Sequence, residues 1–170
     1  MIRKFTFAAA FLSAPMAFAD SHEAGPSGDV EAGEAVYRAC VACHVSRDPE
    51  GNVLAGRNGR TGPNLYGIAG RLAGSVEDFR YSSLMEAANA AGIVWDEASF
   101  AAYVPNATEF LTEATGERGR SSMTPQRVSE EDAINLYAYL AQFGAEDMDL
   151  DDAEEMEADD GEEMEEEDSE

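Results

Sequence analysis

Lysine is almost absent from this sequence. Of the 11 basic residues in the 170-residue chain only Lys4 is a lysine, and they face 35 aspartates and glutamates, for a formal charge of -24. A chain so acidic repels phosphate, which excludes electrostatic binding of nucleic acid or of an anionic membrane surface. Cysteine is scarce too: Cys40 and Cys43 are the only two, too few for a disulfide-stapled scaffold. Histidine is limited to His22 and His44, so no second Cys/His cluster exists to complete a zinc site. No apolar run reaches the length needed to cross a bilayer, and no internal repeat is present. Strands of convincing length are also lacking, which leaves an all-α chain of short helices and long loops.

What is there divides into four parts. Residues 1–19 carry a positive start at Arg3 and Lys4, an apolar run from Phe5 to Leu12 and a small-residue cleavage site at Ala17-Phe18-Ala19. That is the pattern of a secretory signal peptide, so the mature chain is expected to begin at Asp20, to be soluble and to reside in the periplasm. Residues 20–28 are polar with Gly and Pro and read as a short flexible lead. Residues 29–144 form the folded domain. From Ala145 onward 17 of 26 positions are Asp or Glu, a composition that cannot bury enough apolar surface to offset ordering entropy. Residues 145–170 are therefore expected to be a disordered acidic tail. Between 20 and 144 there are 9 arginines against 18 acids, so the domain is itself acidic.

One stretch of the domain carries chemistry. In Cys40-Val41-Ala42-Cys43-His44 two cysteines are separated by two residues, with histidine directly after the second, which is the attachment signature of a c-type haem. Each thiol can add across one vinyl group of the porphyrin. The adjacent histidine then falls under the ring, where a neutral imidazole nitrogen can ligate iron. A thioredoxin-like redox pair and a disulfide across a tight loop share the cysteine spacing, but the redox pair wants a βαβ context that this chain does not offer. Export favours haem, since covalent attachment is completed on the outer side of the membrane. His22, in the polar lead, reads as a solvated residue and not as a ligand.

The remaining pattern supports a wrapped disc. Asp29 caps a predicted helix to about Cys40, with Val30, Gly33, Tyr37 and Cys40 on its inner face. The Gly-, Asn-, Asp- and Pro-rich stretch 47–60 reads as a surface loop. Further helices are expected over 84–91, stopped by Gly92, from Asp96 through Val104, and over about 107–114. The last opens at Ser129 with acids at its positive end. It repeats Ala133, Leu136, Tyr137, Leu140 and Phe143 at three and four, and Gly144 ends it. A loop-rich domain of this size buries a modest core, and a covalently held apolar macrocycle would supply what is missing.

In order along the chain stand Gly33-Glu34-x-x-Tyr37, Cys40-x-x-Cys43-His44, Thr61-Gly62-Pro63-Asn64-Leu65-Tyr66-Gly67, Gly70-Arg71, Phe79-x-Tyr81, Trp95, Tyr103, Met123 and Tyr139-Leu140. From about Asp29 to Gly144 the sequence resembles a class I c-type cytochrome, close to the bacterial cytochrome c2 branch. The resemblance implies a small cytochrome c fold around one haem c held by thioethers from Cys40 and Cys43. His44 would be the proximal ligand and Met123 the distal one. The Pro63 carbonyl would accept a hydrogen bond from the other nitrogen of His44. Arg71, Tyr81 and Trp95 would bond the haem propionates, and Tyr103 would sit near the Met123 sulfur. Gly33 would let the first and last helices cross closely, against Leu136 and Tyr139. The position of Met123 agrees: of seven methionines, Met1 and Met16 lie in the signal peptide and Met148, Met156 and Met164 in the acidic run. Met85 sits in a predicted helix and reads as packing, whereas Met123 lies in a loop just before the last helix.

The resemblance implies a monomeric one-electron carrier, not an enzyme. Its partners would be redox proteins: a quinol-oxidising complex, a terminal oxidase or a photosynthetic reaction centre. A dedicated acceptor of one periplasmic dehydrogenase is the alternative within the same chemistry. A haem enzyme or gas sensor would need Met123 absent or displaceable, and an acidic cation-binding module would make the tail the functional part. Two departures from the family stand out. The mature chain has no lysine ring for docking acidic partners, although Arg57, Arg60, Arg118, Arg120 and Arg127 can partly replace it, and the acidic tail has no counterpart.

Overall fold

The Asp29 carboxylate accepts the Ala32 N–H and starts α1, Val30–Tyr37. A computed structural model describes residues 25–144 of the chain; the expected signal peptide, the start of the expected lead, His22 and the acidic run from residue 145 lie outside the described residues. Helix α1 stops three residues before Cys40. The chain continues to His44 in tighter turns, with the Cys40 N–H on the Tyr37 carbonyl and the Cys43 and His44 N–H groups both on the Cys40 carbonyl. Bonds to the third residue back wind the backbone more tightly than an α-helix, which ends the regular helix ahead of the cysteines.

The stretch expected to be a loop is a β-hairpin. Strand β1 (Val45–Arg47) pairs antiparallel with β2 (Val53–Gly56), with an irregularity between Ser46 and Arg47. The Asp48 carboxylate takes both the backbone and the side-chain N–H of Asn52, and the Arg47 guanidinium donates to the Gly51 carbonyl and the Asn58 side chain. The polar residues that mark a loop are here the chemistry of a turn. Only Ala55 of β2 is buried while Val53 and Leu54 are exposed, so no alternating pattern announces the strand.

Four more helices follow. Ser82 caps α2 (Ser83–Ala90), Asp96 caps α3 (Glu97–Tyr103), Asn106 caps α4 (Ala107–Thr115) and Ser129 caps α5 (Glu130–Leu140). At α3 and α5 the cap is reciprocal: Ser99 and Asp132 each return a side-chain oxygen to the backbone N–H of the capping residue. The described residues therefore form five helices, one short hairpin and long loops, the all-α class expected.

Helices α1 and α5 cross at glycine. A Cβ at Gly33 would collide with the Asn135 carbonyl and come within 2.7 Å of the Tyr139 Cβ. Tyr139 is the expected neighbour, but Asn135 takes the place expected of Leu136, which points into the core at 2% exposure. Val30 shares the expected helical face yet stays 41% exposed, because glycine and not valine makes the close approach. The end of the lead is tied in as well: the Ser27 N–H and hydroxyl both donate to the Glu97 carboxylate at 2.6 Å, and the Asp29 N–H donates to Asn135 at 2.7 Å. No helix among the described residues is long and apolar enough to cross a membrane.

Candidate functional site

Cys40, Cys43, His44, Pro63, Arg71, Tyr81, Trp95, Tyr103 and Met123 all line one cavity of about 300 Å³. These nine residues come from the turns after α1, the loops before α2 and α3, helix α3 itself and the loop before α5. Leu65, Ile68, Phe100, Leu136 and Leu140 supply apolar wall between them.

The attachment wall is built by the tight turns after Tyr37. Cys40 is half-buried and Cys43 exposed, and the two are not joined as a disulfide. Burial, with a smaller contribution from Cys43, pushes the Cys40 thiol up to about 11. The His44 ring carries Nδ1 at 2.9 Å from the Pro63 carbonyl oxygen. A carbonyl only accepts, so Nδ1 holds the proton and Nε2 keeps its lone pair. Burial lowers the His44 pKa, and the bond to Pro63 partly opposes that. The imidazole is therefore neutral near pH 7. Gly62 lets the ring lie flat against the backbone, since a Cβ there would run into Cε1 and both ring nitrogens.

On another wall Gly70-Arg71-Leu72 runs beside Val94-Trp95. The Gly70 N–H bonds the Trp95 carbonyl, the Trp95 N–H bonds the Arg71 carbonyl, and Leu72 bridges Val94. The Tyr137 hydroxyl donates to the same Trp95 carbonyl at 3.1 Å. This short ladder brings Arg71 and Trp95 to one place. The Arg71 guanidinium donates to the Tyr66 carbonyl at 2.5 Å and the Asn64 carbonyl at 3.0 Å. Burial lowers its pKa, but a guanidinium stays charged. Its hydrogen-bond partners are thus carbonyls, and a carboxylate entering the cavity would meet an uncompensated cation. The Tyr81 hydroxyl accepts the Val76 N–H at 3.3 Å, and burial raises its pKa.

Two methionines reach the cavity. Met123 stands in the irregular segment between α4 and α5. Met85, read from the sequence as packing, lies in α2 at 6% exposure, its Cγ only 3.2 Å from where a Cβ on Gly74 would lie, and it lines the cavity too. Tyr103 packs against Trp95 in a tilted arrangement with ring centroids 4.7 Å apart, and burial pushes its phenol up to about 12, partly offset by the Ser121 side chain beside it. Ser121 and Thr108, which hold this region, were not marked by the sequence: a serine in a polar loop and a threonine in a helix carry no signal of their own.

The donor set fits a covalently attached haem. Two thiols and a neutral imidazole occupy neighbouring positions on one wall, thioethers are available in the same cavity, apolar side chains fill the perimeter and Arg71 offers charge for a propionate. No protein-family model matches the chain. The chain is 46% identical to cytochrome c2 of Rhodovulum adriaticum over 122 residues, which is 71% of this chain and 97% of that relative. It is 46% identical to a solved cytochrome c2 from Rhodobacter sphaeroides, with a TM-score of 0.67 over 69% of this chain and 98% of that one. The solved ferric cytochrome c-550 of Paracoccus versutus is 36% identical, with a TM-score of 0.63 over 69% and 98% of the two chains.

Proposed function

The chain belongs to the class I c-type cytochromes of the c2 branch, binds one covalent haem c and carries electrons, and from that premise we propose a periplasmic one-electron shuttle with His44 and Met123 as axial ligands. One observation supports this above the others. The Nδ1 of His44 is committed to the Pro63 carbonyl at 2.9 Å, so the nitrogen left with a lone pair is the one available to iron. When bound, haem would supply a single iron that accepts and releases one electron, and thioether and imidazole donors together would favour the ferrous state.

The protein's own groups account for the rest. Cys40 and Cys43 hold the macrocycle through thioethers, which fixes its position relative to the His44 ring. Gly62 and Pro63 keep that ring neutral and oriented. Arg71, Tyr81 and Trp95 meet the propionates, where a guanidinium in apolar surroundings interacts strongly with a carboxylate. Leu65, Ile68, Phe100, Leu136 and Leu140 exclude water, so a change of charge demands little solvent rearrangement. With His44 and Met123 both holding the iron, no protein-free position would be offered to a substrate, which suits a carrier. Electrons then pass to and from a quinol-oxidising complex, terminal oxidase, reaction centre or dehydrogenase, with Arg57, Arg60, Arg118, Arg120 and Arg127 partly in place of lysines.

The test compares the two methionines of the cavity. Met123→Ala should abolish the weak long-wavelength sulfur-to-iron band of the ferric holoprotein, lower its reduction potential and open it to carbon monoxide. Met85→Ala should leave all three unchanged. Exchange of the two phenotypes would overturn the assignment of the distal ligand.

A further inference from the structure

The segment 117–128 that carries Met123 contains neither helix nor strand. It is fixed to the domain at a few points. The Ser121 N–H donates to the Thr108 hydroxyl of α4 at 3.1 Å, and the Gln126 N–H donates to the Pro105 carbonyl at 3.2 Å. Gly119 lies against the Leu84 side chain. The Met123 N–H is met by the Ser121 hydroxyl at 3.1 Å, and the same hydroxyl lies beside the Tyr103 phenol of α3.

We propose that Ser121 is a positioning residue for the distal ligand: its hydroxyl ties the Met123 N–H to Tyr103 of α3 while its own N–H is held by Thr108 of α4, and this sets how readily Met123 is displaced from the iron. A serine hydroxyl accepts from the Met123 N–H while its own hydrogen remains available to the phenol oxygen, so one group serves both neighbours. The loop has no backbone ladder at Met123, and the Ser121 hydroxyl is the group that meets the ligand's own N–H. The proposal rests on Met123 being the distal ligand.

Imidazole, titrated into the ferric holoprotein while the long-wavelength band is followed, measures how easily Met123 gives way. Ser121→Ala should raise the apparent imidazole binding constant about tenfold, the worth of one hydrogen bond. Ser121→Thr should restore the wild-type value, and Thr108→Val should weaken the hold in the same direction but less. Addition of Tyr103→Phe to Ser121→Ala should be less than additive, because both remove the same contact. Because the hydroxyl stabilises the ligated native state, the thermal midpoint of Ser121→Ala should fall together with the imidazole shift, by no more than one hydrogen bond is worth. An unchanged imidazole constant, or failure of threonine to restore it, would each overturn the proposal. Loss of the band in Met123→Ala together with an unmoved constant in Ser121→Ala defeats the serine's role alone. A band that survives Met123→Ala defeats the ligand assignment itself.

Discussion

At the scale of single residues, the imidazole of His44 is confined from two sides by adjacent members of one loop. Pro63 offers a carbonyl at 2.9 Å, and Gly62 offers the absence of a side chain. The second contribution is the stricter. Gly62→Ala would place a methyl on the ring itself, and neither partner can yield cheaply: the ring is pinned by Pro63 and the backbone by the Gly62 N–H bond to the Cys43 carbonyl at 2.9 Å. Overpacking of this kind costs about 1–3 kcal/mol. The expected result is a guanidinium midpoint of the holoprotein lowered accordingly, together with a weakened sulfur-to-iron band as the proximal ring shifts. An alanine variant as stable as wild type would mean the loop moves freely away from the ring.

At the scale of elements, each of the five helices starts on a side-chain cap, and the cap of α3 makes stability depend on pH. The Ser99 side chain, and then the Ser99 N–H, hold the Asp96 carboxyl below its usual 3.8. The folded protein therefore releases this proton more readily than the unfolded chain does. The cap's contribution is present above the ordinary carboxylate value and is lost as pH falls through the lower folded value. Asp96→Asn keeps a capping oxygen without a titrating group, so it should match wild type near pH 7 and lose less stability in acid. Asp96→Ala should cost about 0.5–2 kcal/mol near pH 7. Urea unfolding of the three proteins from pH 7 to pH 3 checks this, and parallel curves for wild type and the asparagine variant would refute it.

At the scale of the whole molecule, charge is the property that needs explanation. The domain carries 9 arginines against 18 acids, and 17 more acids follow Gly144. The last described residues are firmly placed, since the Gly67 N–H bonds the Phe143 carbonyl at 2.8 Å, so truncation after Gly144 leaves the domain's own contacts intact. An already acidic domain needs no further masking of its arginines, which favours a steering role for the tail toward a basic partner surface. Truncation should then slow reduction by a basic redox partner at low salt. The difference should fade as the Debye length falls from about 10 Å at 0.1 M to about 3 Å at 1 M. Stopped-flow rates for both proteins across a salt series decide the point: equal rates throughout would reduce the tail to a solubility device, and faster reduction by an acidic partner after truncation would favour masking.

Short-range chemistry was legible in the chain by itself. The thiols of Cys40 and Cys43 and the imidazole of His44 lie within five consecutive positions, and the caps at Asp29, Asp96 and Ser129 act within three residues of themselves, so neither depends on distant partners. The hairpin was hidden because its turn residues read as loop and only Ala55 of β2 faces inward. The early end of α1 was hidden because the carbonyl of Cys40 is shared by Cys43 and His44, a matter of winding and not of residue type. Tertiary structure alone decided that Met85 reaches the same cavity as Met123, that Asn135 and not Leu136 receives Gly33, that Arg71 rests on the carbonyls of Asn64 and Tyr66, and that Ser121 joins α3, α4 and Met123. The cavity gathers its lining from Ala39 to Leu140, across nearly the whole domain. Which side chains share one wall depends on how the helices pack, and the residues that hold the wall in place, a serine and a threonine among them, carry no mark of that duty in the sequence.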